Sequence, residues 1–162
     1  MDTTSRPIEI GLSEKDREGV CRILTVLLAD EYLLYTKTRK FHWNVTGPSF
    51  MEMHKLFESQ YEALDDIVDS TAERIRSLGG AAIGTLNEMQ SNARLKEAPG
   101  QYPDATSMIA ELLDDHEHLI VSLRADLETA QNKYHDAGTC DYLTGLMEDH
   151  EKTAWMLRAY LA

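Results

Sequence analysis

The chain has 162 residues, and 28 acidic against 16 basic side chains give it a formal charge of −12. That length suits one domain with a core large enough to need no disulfide, and the only two cysteines, Cys21 and Cys140, lie far apart outside any C-x-x-C, so both are expected to be reduced and buried as small hydrophobes. There is no apolar run of roughly eighteen residues and no signal-sequence pattern, which predicts a cytoplasmic protein with no membrane partner, and the acidic balance implies a surface that attracts cations and repels nucleic acid.

Residues 1–12, MDTTSRPIEIGL, read as a flexible tail with Pro7 and Gly11, without lysine, and with Asp2 and Glu9 set against Arg6. The domain is expected over residues 13–162. Ser13 with Asp16 makes a helix N-cap, and the helix it opens runs to about His42, with Val20, Leu24, Leu27, Leu28, Leu34 and Tyr35 on an apolar stripe that also carries Glu31. Gly47-Pro48 then turns the chain. From about Phe50 to Leu78 there is no Gly or Pro, and Leu56, Leu64, Ile67, Val68, Ile75 and Leu78 recur at helical spacing, predicting one long amphipathic helix.

A glycine-rich loop, Gly79 to Gly84, leads to a short helix at Leu86–Ala93 and then to Pro99–Pro103. The loop lacks a phosphate-binding lysine and follows no strand, which argues against nucleotide binding. The third long helix starts near Asp104 or Thr106, with Ile109, Leu112, Leu113, His116, Leu119, Ile120, Leu123 and Leu127 on its stripe. Gly138 breaks the chain before the fourth, from about Thr139, with Leu143, Leu146, Met147, His150, Ala154, Leu157 and Leu161. His118 and His135 fall off these stripes and are expected to be exposed. Nothing reads as strand. The fold class is all-α: a four-helix bundle with a long crossing connection between helices two and three that carries a short extra helix.

The chemistry concentrates between His42 and Glu73. His42 and His54 are twelve residues apart, one near the end of the first helix and one near the start of the second, so hairpin packing makes them neighbours. Glu58, Asp69 and Glu73 continue along the face of His54, on an arc of about 100° away from the apolar stripe. Yet His54 and Asp69 are fifteen residues apart, about 22 Å along a helix, too far for two ligands of one ion. Either other helices of the same chain complete a site, or a second copy packs antiparallel and two-fold symmetry brings the His-Glu end of one helix to the Asp-Glu end of the other. The bland alternative is a solvated polar face with contacts between residues four apart. Imidazole with carboxylate suits Fe(II) and leaves positions open for an oxidant, and zinc is a second ion that such donors accept.

The run H-W-N-V-x-G-x-x-F-x-x-x-H-x-x-F, continued by Asp69-x-x-Ala72-Glu73-Arg74 and Gly79-Gly80, resembles the signature of the Dps-type mini-ferritins, the DNA-binding proteins from starved cells. Weaker similarity reaches Thr139–Thr144 and Ala154–Ala159, so nearly the whole chain is covered. The resemblance implies a ferritin-like bundle assembled as a homo-dodecamer, with His42 and His54 from one subunit and Asp69 and Glu73 from its two-fold mate as metal ligands. Glu58 stands where many members have Asp, as a bridging or second-site ligand one methylene longer.

It further implies a ferroxidase that oxidises Fe(II) with hydrogen peroxide, or more slowly dioxygen, stores ferric mineral in a hollow shell and protects against oxidative stress. Trp43 beside His42 serves packing or donates an electron to quench a stray oxidising equivalent. Asp136 and Asp141 fall where the family forms acidic pores, or else supply charge at a helix N-terminus. Glu62 and Asp65 are either mineral-nucleating or a solvated face. Glu31, His116 and His150, three polar residues on core stripes, form an intrasubunit metal site or a buried hydrogen-bonded cluster. The alternative function is a nucleoid-compacting protein with secondary iron chemistry; the lysine-free tail counts against it, and DNA binding is not expected.

Overall fold

The computed structural model describes residues 7–162, and these form five helices and no strand: α1 (Glu14–Asn44), α2 (Phe50–Ser77), α3 (Leu86–Asn92), α4 (Ala105–Asn132) and α5 (Ala137–Tyr160). Short polar side chains set most of the helix starts. Ser13 accepts the Asp16 amide, Asp104 accepts the Ser107 amide, and Thr85 forms a reciprocal capping box with Glu88, each satisfying a donor that the first turn leaves free. The fourth long helix begins earlier than its glycine suggests. Asp136 caps it by accepting the Thr139 amide at 3.1 Å, which draws Gly138 into the first turn. The break falls instead at Tyr134-His135, where His135 takes φ 54°.

α1 and α2 pack as one antiparallel hairpin, and α4 and α5 as another, around a core that includes Leu24, Leu27, Leu28, Leu34, Phe41, Phe57, Ile75, Leu112, Leu119, Leu143 and Leu157. Full burial of each large apolar side chain contributes about 1.5–3 kcal/mol. Between the hairpins the chain crosses through α3, and one carboxylate fastens that crossing. Asp30, wholly buried in α1, accepts the Arg94 amide at 2.6 Å, the Leu95 amide at 3.0 Å and the Arg94 Nε at 2.6 Å, while Arg94 also reaches Asp126 of α4 at 3.0 Å. A buried carboxylate is tolerable here because its lone pairs are taken up by three donors.

α2 ends at Gly79, where φ is +89° and where a Cβ would meet Ile8 Cδ1 at 2.3 Å. A side chain is therefore excluded both by the left-handed backbone and by the segment laid across it. Residues 7–12 of the expected tail thus have one anchor, and residues 1–6 lie outside the described residues. Cys21 and Cys140 are free and half-buried rather than buried. Their thiols lie 3.8 Å from the carbonyls of Ile75 and Leu127, and burial pushes both up in pKa. No helix among the described residues is long and apolar enough to cross a membrane.

Candidate metal centre

The α1–α2 hairpin brings the two histidines of the motif together. Their rings stack at 3.8 Å between centroids, with 20° between planes. Each Nδ1 faces the other residue's main-chain carbonyl, His42 to His54 O at 2.8 Å and His54 to His42 O at 2.9 Å. A carbonyl can only accept, so both Nδ1 atoms carry the proton, and in the neutral rings both Nε2 atoms are left with a bare lone pair. Orienting an imidazole by a bond from its other nitrogen is how metal-binding histidines are commonly held. Phe50 stacks on His54 at 5.1 Å, and His42 is only 7% exposed, so the pair is rigid and shielded on its inner side.

One turn along α2, Glu58 is partly buried and lies near both histidines. Lys55 holds it at 2.7 Å, and this ammonium contact keeps the Glu58 carboxyl below the usual carboxylate range. Asp69 and Glu73 lie much further along the same helix and are exposed. Among the described residues no three His, Cys, Asp or Glu side chains converge closely enough to hold an ion. A single subunit therefore presents a prepared pair of imidazoles with Glu58 beside them, and the Asp69–Glu73 pair stands apart.

Trp43 is 65% exposed, with the Arg39 guanidinium 5.0 Å from its ring. Besides Phe50, the aromatic ring that touches the pair is Tyr61, edge-on to His42 at 5.2 Å. Sequence reasoning passed over it, although it follows His54 by seven residues, about two helical turns, on the ligand face. Glu62 and Asp65 are exposed.

The second polar group lies inside the bundle. His150 Nε2 donates to Glu31 Oε1 at 2.8 Å, and the Nδ1 atoms of His116 and His150 share a hydrogen bond at 2.8 Å. All three residues are at most 2% exposed. They form a row in which His150 bridges the other two, and both histidines also line a cavity of about 410 Å³ between α2 and α5. His118 and His135 are exposed. Asp136 is 5% exposed, and besides capping α5 it is paired with Arg74 at 3.2 Å, so within the subunit it supplies helix N-terminal charge. Asp141 is exposed and lines a shallow cavity with His135 and Cys140.

The model of the ferritin-like domain matches residues 21–162. A low temperature-induced protein of Nostoc sp. is 48% identical over 154 residues, covering 95% of this chain and 86% of the relative. DNA protection during starvation protein 2 of Bacillus anthracis is 37% identical over 142 residues, covering 88% and 96%. Among solved structures, DpsC from Streptomyces coelicolor superposes with a TM-score of 0.92 at 27% identity, covering 98% of this chain and 92% of that one. A Dps protein from Vibrio cholerae, described as a member of the ferritin-like diiron-carboxylate superfamily, does so with 0.90 at 29%, covering 99% and 100%. With the domain match spanning most of the chain, and with relatives and folds of one kind, the chain belongs to the ferritin-like family as a Dps-type mini-ferritin.

Proposed function

We propose that this protein is a ferroxidase and iron store whose catalytic sites are shared between two-fold-related subunits of a hollow homo-oligomer, a dodecamer by family analogy. The family supports iron storage and ferroxidase-type chemistry in general, and the observation that carries the sharper reading is the cross-tied histidine pair. In the neutral rings two Nε2 atoms are left bare, an incomplete ligand set, while two exposed carboxylates wait on the same helix, Asp69 about 22 Å and Glu73 about 28 Å from His54. An antiparallel second copy of α2 supplies what each end lacks.

In this reading Fe(II) is the substrate. His42 and His54 bind it, Asp69 and Glu73 of the partner subunit complete the shell, and Glu58 bridges or holds a second ion. Hydrogen peroxide is the preferred oxidant, with dioxygen slower, and the ferric product mineralises inside the shell with Glu62 and Asp65 as candidate nucleating groups. Asp141 is the better candidate for a pore carboxylate, since Asp136 is engaged by Arg74 and by its cap. The donor chemistry and the family both speak for iron; zinc has no such support, and the assignment is confined to iron.

Mixed assembly tests the shared site. His54→Ala and Asp69→Ala homo-oligomers should each lose peroxide-dependent Fe(II) oxidation. In a His54→Ala/Asp69→Ala hetero-pair, one of the two sites carries both defects and the other carries neither. Co-refolding the variants should therefore restore a substantial share of activity. Activity that stays absent in the mixture, or that persists in either parent, overturns the shared-site reading.

A further inference from the structure

A row of tyrosines begins at the histidine pair. Tyr35 precedes His42 by seven residues and Tyr61 follows His54 by seven. Because seven residues make about two helical turns, an antiparallel hairpin puts these two tyrosines on one rung and on the face of the histidines. Tyr61 meets His42 at 5.2 Å between ring centroids and meets Tyr35 at 6.2 Å, edge to face, and Tyr35 meets Tyr32 at 5.9 Å. The series His42, Tyr61, Tyr35, Tyr32 is thus continuous at aromatic contact distance, and all three phenols are only half-buried, with Tyr35 and Tyr32 packed against the margin of the apolar core.

We propose that Tyr61, Tyr35 and Tyr32 form a redox relay that draws one-electron oxidising equivalents away from the histidine site toward the middle of α1. The inference rests on the iron-oxidation reading above. Ferrous iron and hydrogen peroxide give ferric iron, hydroxide and a hydroxyl radical when only one electron is supplied. The radical takes a hydrogen atom from the Tyr61 phenol, yielding water and a neutral Tyr61 phenoxyl radical. Tyr35 passes an electron to Tyr61 and becomes the radical in its place, Tyr61 taking a proton from solvent as Tyr35 releases its own to solvent, and Tyr32 does the same for Tyr35. A second ferrous ion, with one proton, restores the last phenol and becomes ferric. Overall, one peroxide and two protons oxidise two ferrous ions and release two waters, and no hydroxyl radical escapes.

The geometry favours this row over Trp43. The Arg39 guanidinium lies 4.8 Å from the Tyr35 ring centre and 5.0 Å from that of Trp43, and it donates a hydrogen bond to the Tyr35 oxygen. A fixed cation between the rings opposes the positive charge that an oxidised indole first carries. A phenol that loses its proton together with its electron develops no such charge.

Freeze-quench electron paramagnetic resonance on the assembled protein, mixed with Fe(II) and then with limiting hydrogen peroxide, reads the relay directly, with ferric formation followed optically in the same samples. A tyrosyl signal is expected in the native protein. Tyr61→Phe should abolish it while ferric iron still forms and hydroxyl-radical spin-trapping rises; Tyr35→Phe should retain a signal whose ring-proton hyperfine pattern is altered; Trp43→Phe should leave it unchanged. Circular dichroism checks that each variant folds. Ferric formation without a tyrosyl signal, or a signal indifferent to Tyr61→Phe, overturns the relay alone. Absence of any iron oxidation overturns the relay together with the ferroxidase reading.

Discussion

The buried His116–His150–Glu31 row gives this protein a pH dependence with two opposed arms. Burial disfavours charge on His150, but the Glu31 carboxylate bonded to it outweighs that cost and raises its pKa above the ordinary histidine value of 6.5. Burial, and then the neighbouring His150 charge, lower His116 well below the same value. The His150 contribution to stability is complete below 6.5 and is lost as pH rises through its raised value. The His116 contribution is complete above 6.5 and is lost as pH falls toward its lowered value. Thermal unfolding against pH should therefore show a maximum in the middle sixes, and His150→Gln should remove the decline on the alkaline side. A native profile that climbs steadily from pH 6 to 9 contradicts this. The inward-facing stripe positions of these residues were legible from spacing alone. Their bonding order was not, because which nitrogen meets which atom depends on ring rotation that periodicity does not encode. The same holds for His42 and His54, whose adjacency follows from any hairpin but whose crossed carbonyl bonds require the actual path of residues 45–49.

Among the elements, the crossover and the start of α5 differ in how much of them could be read ahead. Caps at Ser13, Asp104 and Thr85 are local signals and mark their helices to within a residue or two. For α5 the visible glycine misled, because Asp136 caps from the N-terminal side and His135 makes the turn. Asp30 carries no local signal at all: its partners Arg94 and Leu95 come from sixty-four and sixty-five residues away. Removing it should cost more than removing a cap. Asp30→Ala leaves two amides and the Arg94 Nε without their acceptor, with Asp126 still holding the other side of the guanidinium, and should destabilise by about 3–5 kcal/mol. Asp136→Ala loses an N-cap and the pairing of Arg74, and should cost about 1–2 kcal/mol. Urea unfolding of both variants checks the order, and an Asp136→Ala effect as large as that of Asp30→Ala would contradict it.

At the scale of the whole molecule, charge decides what the protein can hold on its outside. With 28 acidic against 16 basic residues, the expectation is that few phosphates are neutralised and that counterion release drives little association with DNA. Plasmid should therefore migrate unretarded with this protein at moderate salt, and tight retardation would favour the nucleoid-compacting alternative. Fold class and bundle topology were legible in the sequence because four long stripes and one long connection admit few other packings. The proposed sharing of the metal site rests, in the sequence, only on a distance too great for two ligands of one ion on a single helix.

The crossed bonds between His42 and His54 have a consequence for when chemistry can start. They lie within a single hairpin and connect neighbouring stretches of chain, so a newly made subunit organises its imidazoles as soon as that hairpin closes. On the shared-site reading such a subunit is a loaded half with no trigger. Oxidation waits for dimerisation, and ferric product is not made by a stray subunit that has no shell to put it in.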